Sequence, residues 1–167
     1  MHAASSDSWV SYRRSVVLIR PGDEQSLGVR SAPEADESAW PWPTPEAVHV
    51  LTAWDPGPER PGPVVNRARQ AALEADLRRR GVALLPAVGV DPLTDRRDEG
   101  VAVQGLPEDE VRALGARYGQ DAVYAWTPAE WAVVACRGGR RLGSGWSLVR
   151  PSEAEFLFRC PPGEPMR

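Results

Sequence analysis

Val48-His49-Val50-Leu51-Thr52-Ala53-Trp54-Asp55-Pro56-Gly57 decides how the rest of this chain is read. All of its first seven residues except His49 are apolar or β-branched, which is the composition of a buried strand, and Asp55-Pro56-Gly57 is turn chemistry that ends it. A proline-stiffened loop follows. A helix then runs from about Val64 to Arg80, with arginines in its last turn and Gly81 as its stop. At 100° per residue, Asn66, Gln70, Leu73 and Leu77 share one stripe. The first two positions of that stripe are amides where a core-facing helix should be apolar. Inward polar groups at a helix start, just beyond a strand end, are a reason to expect a site.

Outward from this segment the pattern continues in the same style. Val82 to Val90 reads as a second core strand. Pro86 inside it places it at a sheet edge. Asp91 to Gly100 reads as a charged loop, and Val101 to Gly105 as a short third strand. Pro107 opens a second helix whose first turn holds Glu108, Asp109 and Glu110. Val111, Leu114, Gly115 and Tyr118 form its buried face, and Gly119 caps it. Ala122–Trp126 and Trp131–Cys136 are a fourth and a fifth strand, and Trp146 to Val149 a last edge strand.

The order strand, helix, strand, strand, helix, strand predicts an α+β fold of the ferredoxin-like split β-α-β type. It would be a sandwich with two helices on one face of a mixed, mostly antiparallel sheet and extra strands at the N- and C-terminal ends. The division that goes with it is an N-terminal segment 1–20 with a strand at Ser15–Ile19, a Pro/Ser/acid-rich linker or loop 21–47, a core domain 48–150 and a flexible Pro-rich tail 151–167. Trp40 and Trp42, near the end of the linker, either fold back onto the core or mark a partner surface.

Composition narrows the chemistry. All 20 basic residues are arginine. The absence of lysine removes Schiff-base catalysis, pyridoxal phosphate attachment and the lysine of a Walker loop. The net charge of -3 argues against nucleic acid or an anionic membrane as partner. No apolar run spans a bilayer, and Met1–Asp7 lacks the pattern of a secretory leader, so the expected location is cytoplasmic. Cys136 and Cys160 lack metal-ligand spacing. His2 and His49 offer no partner for a metal or a triad, so neither a metal nor a cofactor is expected. Arg137-Gly138-Gly139-Arg140-Arg141 reads as a basic hairpin turn.

In the ferredoxin-like layout Trp54, Asp55, Asn66, Gln70, the Asp91–Glu99 loop and Gln120 gather at one end of the sheet. Asp55 and Glu99 are the candidate acid/base pair, and Trp54, Asn66, Gln70 and Gln120 the candidate ligand-binding residues. The competing roles are structural. Asp55 would be a turn residue, and Asn66 and Gln70 would tie down the Asp55–Pro63 loop. Three functions fit. The first is a binding domain for a small polar ligand or a protein partner. The others are a small hydrolase or transferase using Asp55 and Glu99, and an RNA- or protein-associated adaptor.

The pieces TAWDP, NRARQAALEADLRRRG, LLPAVGVDP, DEGVAVQGL and ALGARYGQDAVYAW, in this order, resemble a bacterial domain of unknown function, family 3293. The resemblance implies that Trp54, Pro56, Asn66, Gly89, Glu99 and Gln120 stand at family-typical positions. It also implies two departures: Asp55 and Gln70 each stand where the family carries asparagine. The family brings no activity with it.

Overall fold

The computed structural model describes residues 6–22, 25–56, 60–94 and 96–159. The elements run α1 (Ser6–Arg14), β1 (Val16–Ile19), β2 (Leu27–Ala32), a 3-10 turn at Glu37–Ala39, β3 (Val48–Leu51), α2 (Pro63–Arg79), β4 (Leu84–Val90) and β5 (Arg97–Gln104). They continue with α3 (Glu108–Arg117), β6 (Ala122–Trp126), β7 (Trp131–Ala135), β8 (Arg141–Leu148) and α4 (Pro151–Arg159). The strands close into a barrel in the order β1-β2-β8-β7-β6-β3-β5-β4, with β4 returning to β1 and every pairing antiparallel.

The architecture is therefore a closed β-barrel with helices around it, and the ferredoxin-like α/β sandwich is incorrect. Around β3 the neighbours run β6-β3-β5-β4, but this sheet does not stop there. β1 pairs with β4 from Val16↔Val90 to Ile19↔Ala87, β7 pairs with β6, and β2 with β8 bridges the gap between them. The strands read as additions, β1, β7 and β8, make half of the wall together with β2, which lies inside the segment 21–47 read as a linker or loop. Short β1 and β2, separated from β3 by a long loop, carry too weak a local signal to reveal that they close a ring. Closure also removes the edges expected at β4 and β8. Pro86 is tolerated because its carbonyl accepts Arg20 N–H at 3.0 Å, just past the last β1–β4 pair. Its donor-less nitrogen thus faces the end of β1.

The two-residue strand period sorts side chains into an inner and an outer set. Val17, Val29, Val48, Val50, Ala87, Ala102, Trp126, Trp131 and Trp146 fill the interior. Leu51, Val101, Val103, Val123, Ala125 and Val134 face outward and are covered by Leu73 and Leu77 of α2 and Val111 and Leu114 of α3. α4 covers β1 and β4 through Ala154, Leu157 and Phe158.

The two mouths of the barrel are closed differently. At one, Trp40 and Trp42 fold back against Trp126 with ring centroids at 5.0 and 6.1 Å, and Trp146 joins at 5.1 Å from Trp126. At the other, α1 lies across the opening, with Trp9 and Tyr12 packed against Ala122, Val133 and Tyr124.

Candidate functional site

After Leu51 the chain leaves the sheet, and the start of α2 takes over its hydrogen bonding. Gln70 Oε1 accepts Ala53 N–H at 2.9 Å, and Asn66 Oδ1 accepts Asp55 N–H at 3.0 Å. Asn66 Nδ2 donates to Asp55 Oδ1 at 2.7 Å, and Arg69 Nε to Ala53 O at 3.2 Å. The inward amides of α2 thus bind the backbone that follows β3. They hold its N–H groups, and Gln70 reaches Ala53, ahead of the Asp55–Pro63 loop that the sequence reading has them tie down. Asp55 has φ +43°. Asparagine and aspartate are the non-glycine residues that tolerate this region best. Trp54 is held at both backbone ends: its N–H donates to Thr52 Oγ1 at 2.9 Å, and its carbonyl accepts Gln120 Nε2 at 2.9 Å.

Behind this segment, inside the barrel and beneath α1, lies a cavity of about 60 Å³. Its polar walls are Tyr12 and Ser15 from α1 and its exit, Thr52, Arg96, Asp98 and Gln120. Room for several waters or for a ligand of a few non-hydrogen atoms follows from that volume, since one water needs roughly 10–15 Å³ by this measure. Arg96 Nε donates to Asp98 Oδ1 at 3.3 Å. Burial raises the Asp98 carboxyl above its ordinary range; Arg96 opposes the shift and Asp55 adds to it. Burial likewise pushes the Tyr12 hydroxyl up to about 12, so it is a neutral donor at physiological pH. Gly89 sits directly across from Asp98 in the β4–β5 ladder. A Cβ built on Gly89 meets nothing within 4 Å.

The lid of this cavity is tethered by one carboxylate. Asp91, 3% exposed, receives Arg14 Nε and Nη2 at 2.8 Å each, Ser11 Oγ at 2.6 Å and Leu93 N–H at 3.0 Å. Arg14 and these donors hold the Asp91 carboxyl well below the usual carboxylate range.

The sequence-derived residues are divided by this geometry. Of these, Gln120 lines the inner cavity. Asn66 and Asp55 bind each other beside it. Glu99 lies on the opposite face of β5, exposed, and shares with Gln70, Glu74 and Arg78 an outer groove of about 380 Å³ between α2 and α4. Asp55 and Glu99 are thus not brought together. Tyr12 was not anticipated, and Arg96 and Asp98 entered the sequence reading only as part of the Asp91–Glu99 loop. Carrying the alternation of β5 back from Val101 places Glu99 outward and Asp98 inward, a signal hidden by reading 91–100 as a loop. Tyr12 had none, because α1 leaves no mark beyond a helix-compatible stretch.

Other candidate groups are spent on the fold. Burial raises the Cys136 thiol to about 12, so it is an inert apolar group; Cys160 and His2 lie outside the described residues. His49 is buried on the outer face of β3 with its pKa lowered by burial, and Glu108 lies 3.9 Å from its Nε2. In the basic turn, Arg140 stacks over Trp9 and Arg141 binds Glu108 and Glu130. Among the described residues no group of three or more His, Cys, Asp or Glu is placed to hold a metal ion, and no helix is long and apolar enough to cross a membrane.

No curated protein and no solved structure matches the chain. Residues 51–123, from the last residue of β3 through α2, β4, β5 and α3 into β6, match the family described as Protein of unknown function (DUF3293), the family that the sequence resembles.

Proposed function

We propose that the domain binds a small polar ligand in the α1-covered mouth of the barrel, with Tyr12, Arg96, Asp98 and Gln120 as the groups that meet it. One observation carries this reading: an inward ion pair, Arg96–Asp98, borders unfilled space that Gly89 keeps open inside the barrel. Arg96 and Asp98 are a third and a fifth exposed, so their pair adds little to stability, and its place on the cavity wall is not explained by packing. Eight-stranded barrels have interiors that are either filled by side chains or hold one small ligand.

Asn66 and Gln70 act in this reading as the scaffold that fixes Ala53–Asp55, and so fixes the Trp54 carbonyl to which Gln120 is bound. A screen of small polar compounds by thermal shift tests it. Arg96→Gln and Gln120→Ala should each remove the stabilisation given by any compound that binds. A compound that still stabilises both variants to the full extent binds elsewhere, and the proposed placement fails.

A further inference from the structure

We infer that the ligand of this mouth is a small neutral primary amide, seated over Gly89 against the Arg96 guanidinium and the Asp98 carboxylate together; the inference rests on the binding role proposed for the cavity. The seat comes from the ladder. Gly89 and Asp98 are directly opposed, and cross-strand neighbours on one face have Cβ atoms about 4.5–5.5 Å apart. The absent side chain at 89 leaves open the space beside the Asp98 carboxylate, and a Cβ built there meets nothing within 4 Å. Gly100, the other glycine on this wall, offers no such room, because its Cβ position lies 2.7 Å from the Leu51 carbonyl oxygen.

The charges on the wall argue against an ion. Each acid there has its own arginine: Arg14 binds Asp91, and Arg96 binds Asp98. Farther out, Asp55 and Arg60 act on Asp98 with opposite sign. An ammonium against Asp98 would stand beside the guanidinium, and a carboxylate against Arg96 would stand beside Asp98. Either ion is repelled by one half of the pair. The hydrogen-bonding groups point the same way, because donors and acceptors are both left open. Arg96 uses only its Nε, at 3.3 Å from Asp98 Oδ1 and 3.2 Å from Oδ2. Its Nη groups and the Tyr12 hydroxyl have no acceptor among the described residues. Gln120, 6% exposed, gives one Nε2 N–H to the Trp54 carbonyl, and its second N–H and its Oε1 have no partner among the described residues. Asp98 keeps acceptor capacity, since an ionised carboxylate offers about four sites. An ammonium only donates and a carboxylate only accepts, so each would leave half of these groups unpaired. A primary amide does both from one carbon. Its two N–H bonds serve Asp98 and Gln120 Oε1, and its carbonyl lone pairs serve Arg96 and Tyr12. A lone hydroxyl has one O–H and serves one of the two acceptors. A cavity of about 60 Å³ restricts the amide to a few non-hydrogen atoms.

The experiment titrates the full chain at neutral pH with acetamide and, separately, with acetate, methylammonium, glycine and ethanol, following backbone amide chemical shifts and thermal stability. Acetamide should give saturable shifts in wild type, largest at Gly89, Asp98 and Gln120, and the other four probes should give none there. Asp98→Asn should weaken acetamide by about tenfold, the size expected when a charge-assisted bond becomes a neutral one. The same variant should admit acetate, because its guanidinium has lost the carboxylate beside it. Arg96→Gln should do the converse, losing acetamide and admitting methylammonium. Gly89→Val fills the seat with a strand-favouring side chain, so it should keep or raise the melting temperature and abolish acetamide binding. Saturable binding of any of the other four probes at these residues in wild type, in preference to acetamide, would overturn the amide assignment and leave the site standing. Undiminished acetamide binding in Gly89→Val would overturn the seat over Gly89. If no probe moves a cavity resonance in wild type, the inference fails; a raised melting temperature in Gly89→Val then marks the space as a packing void and removes the binding role with it.

Discussion

The two mouths of one barrel solve the same closure problem with opposite chemistry. At one, Trp126, Trp131 and Trp146 fill the interior, with Trp40 and Trp42 laid over them edge to face. The buried indole N–H groups of Trp42, Trp126 and Trp131 have no hydrogen-bond partner among the described residues. At the other mouth, serines, tyrosines and an ion pair surround open space beneath a helix held by the Asp91 carboxylate and by the packing of Trp9 and Tyr12. The first end commits apolar area to stability; the second withholds it. A chain under selection for stability alone has no reason to treat them differently.

The comparison breaks most visibly at the tryptophan end. Trp126→Ala removes a fully buried ring in contact with four other tryptophans, and should lower unfolding free energy by about 3–5 kcal/mol in denaturant titration. Destabilisation below about 1 kcal/mol would mean that this end is loosely packed and that the contrast drawn between the mouths is false.

At the polar end the largest effect should come from Asn66, although it touches no cavity. Asn66→Ala leaves the Asp55 N–H and one Asp55 carboxylate oxygen without their partner, at a cost of about 1–3 kcal/mol. Gln120 bonding to the Trp54 carbonyl should loosen with it. Ligand affinity would then fall along with stability, whereas Arg96→Gln should lower affinity with little change in melting temperature. Parallel thermal melts and titrations separate the two roles.

That division between scaffold and site was only half legible in the chain. The inward amides of α2 announced themselves because polar residues broke a 3.6-residue apolar stripe, and the structure indeed places them at the strand exit. Their targets were invisible, since nothing local says whether an amide meets a ligand or a backbone N–H. β5 was hidden for another reason. Arg96-Arg97-Asp98-Glu99 reads as solvated loop by composition, yet it is half inside a barrel, because its partners β3 and β4 supply the hydrogen bonds and α4 covers part of its outer face. Arg97 donates to the carbonyls of Leu157 and Phe158 at the end of α4. Barrel closure was least legible of all. It depends on β1 meeting β4 about 70 residues later, and sequence-distant pairing leaves no periodic trace.

The tether of α1 gives a smaller and pH-dependent effect. Asp91→Asn should destabilise the domain by about 1–2 kcal/mol, reduced from the value for a fully buried pair because Arg14 is a third exposed. The folded carboxyl lies below its ordinary value of 3.8, so the unfolded chain takes up the proton first as pH falls. The stabilisation is therefore complete above the ordinary carboxylate range and drains away as pH drops below it. Hydrogen exchange should show α1 amides losing protection in acid before those of β3 and β5, and Asp91→Asn should show that loosened α1 already at neutral pH. Equal protection of α1 in the variant would mean that Trp9 and Tyr12 alone hold the lid.

The smallest expected effect is the sharpest on the question of faces. Glu99→Gln alters an exposed side chain on the outer surface of β5, one residue from Asp98 in the chain and on the other side of the wall. Surface changes of this kind stay within about 0.5 kcal/mol. Ligand titrations of the inner cavity should be unchanged in Glu99→Gln and strongly weakened in Asp98→Asn, although the two substitutions remove the same charge from neighbouring residues. Long-range electrostatics alone would make the two variants behave alike, because the charges differ little in distance from any ligand. A difference between them can come only from contact, and contact is decided by the side of the strand on which each carboxylate lies. If the order were reversed, with Glu99→Gln abolishing binding, the site would belong to the outer groove that Glu99 shares with Gln70, and the α1-covered mouth would be a structural plug like its counterpart.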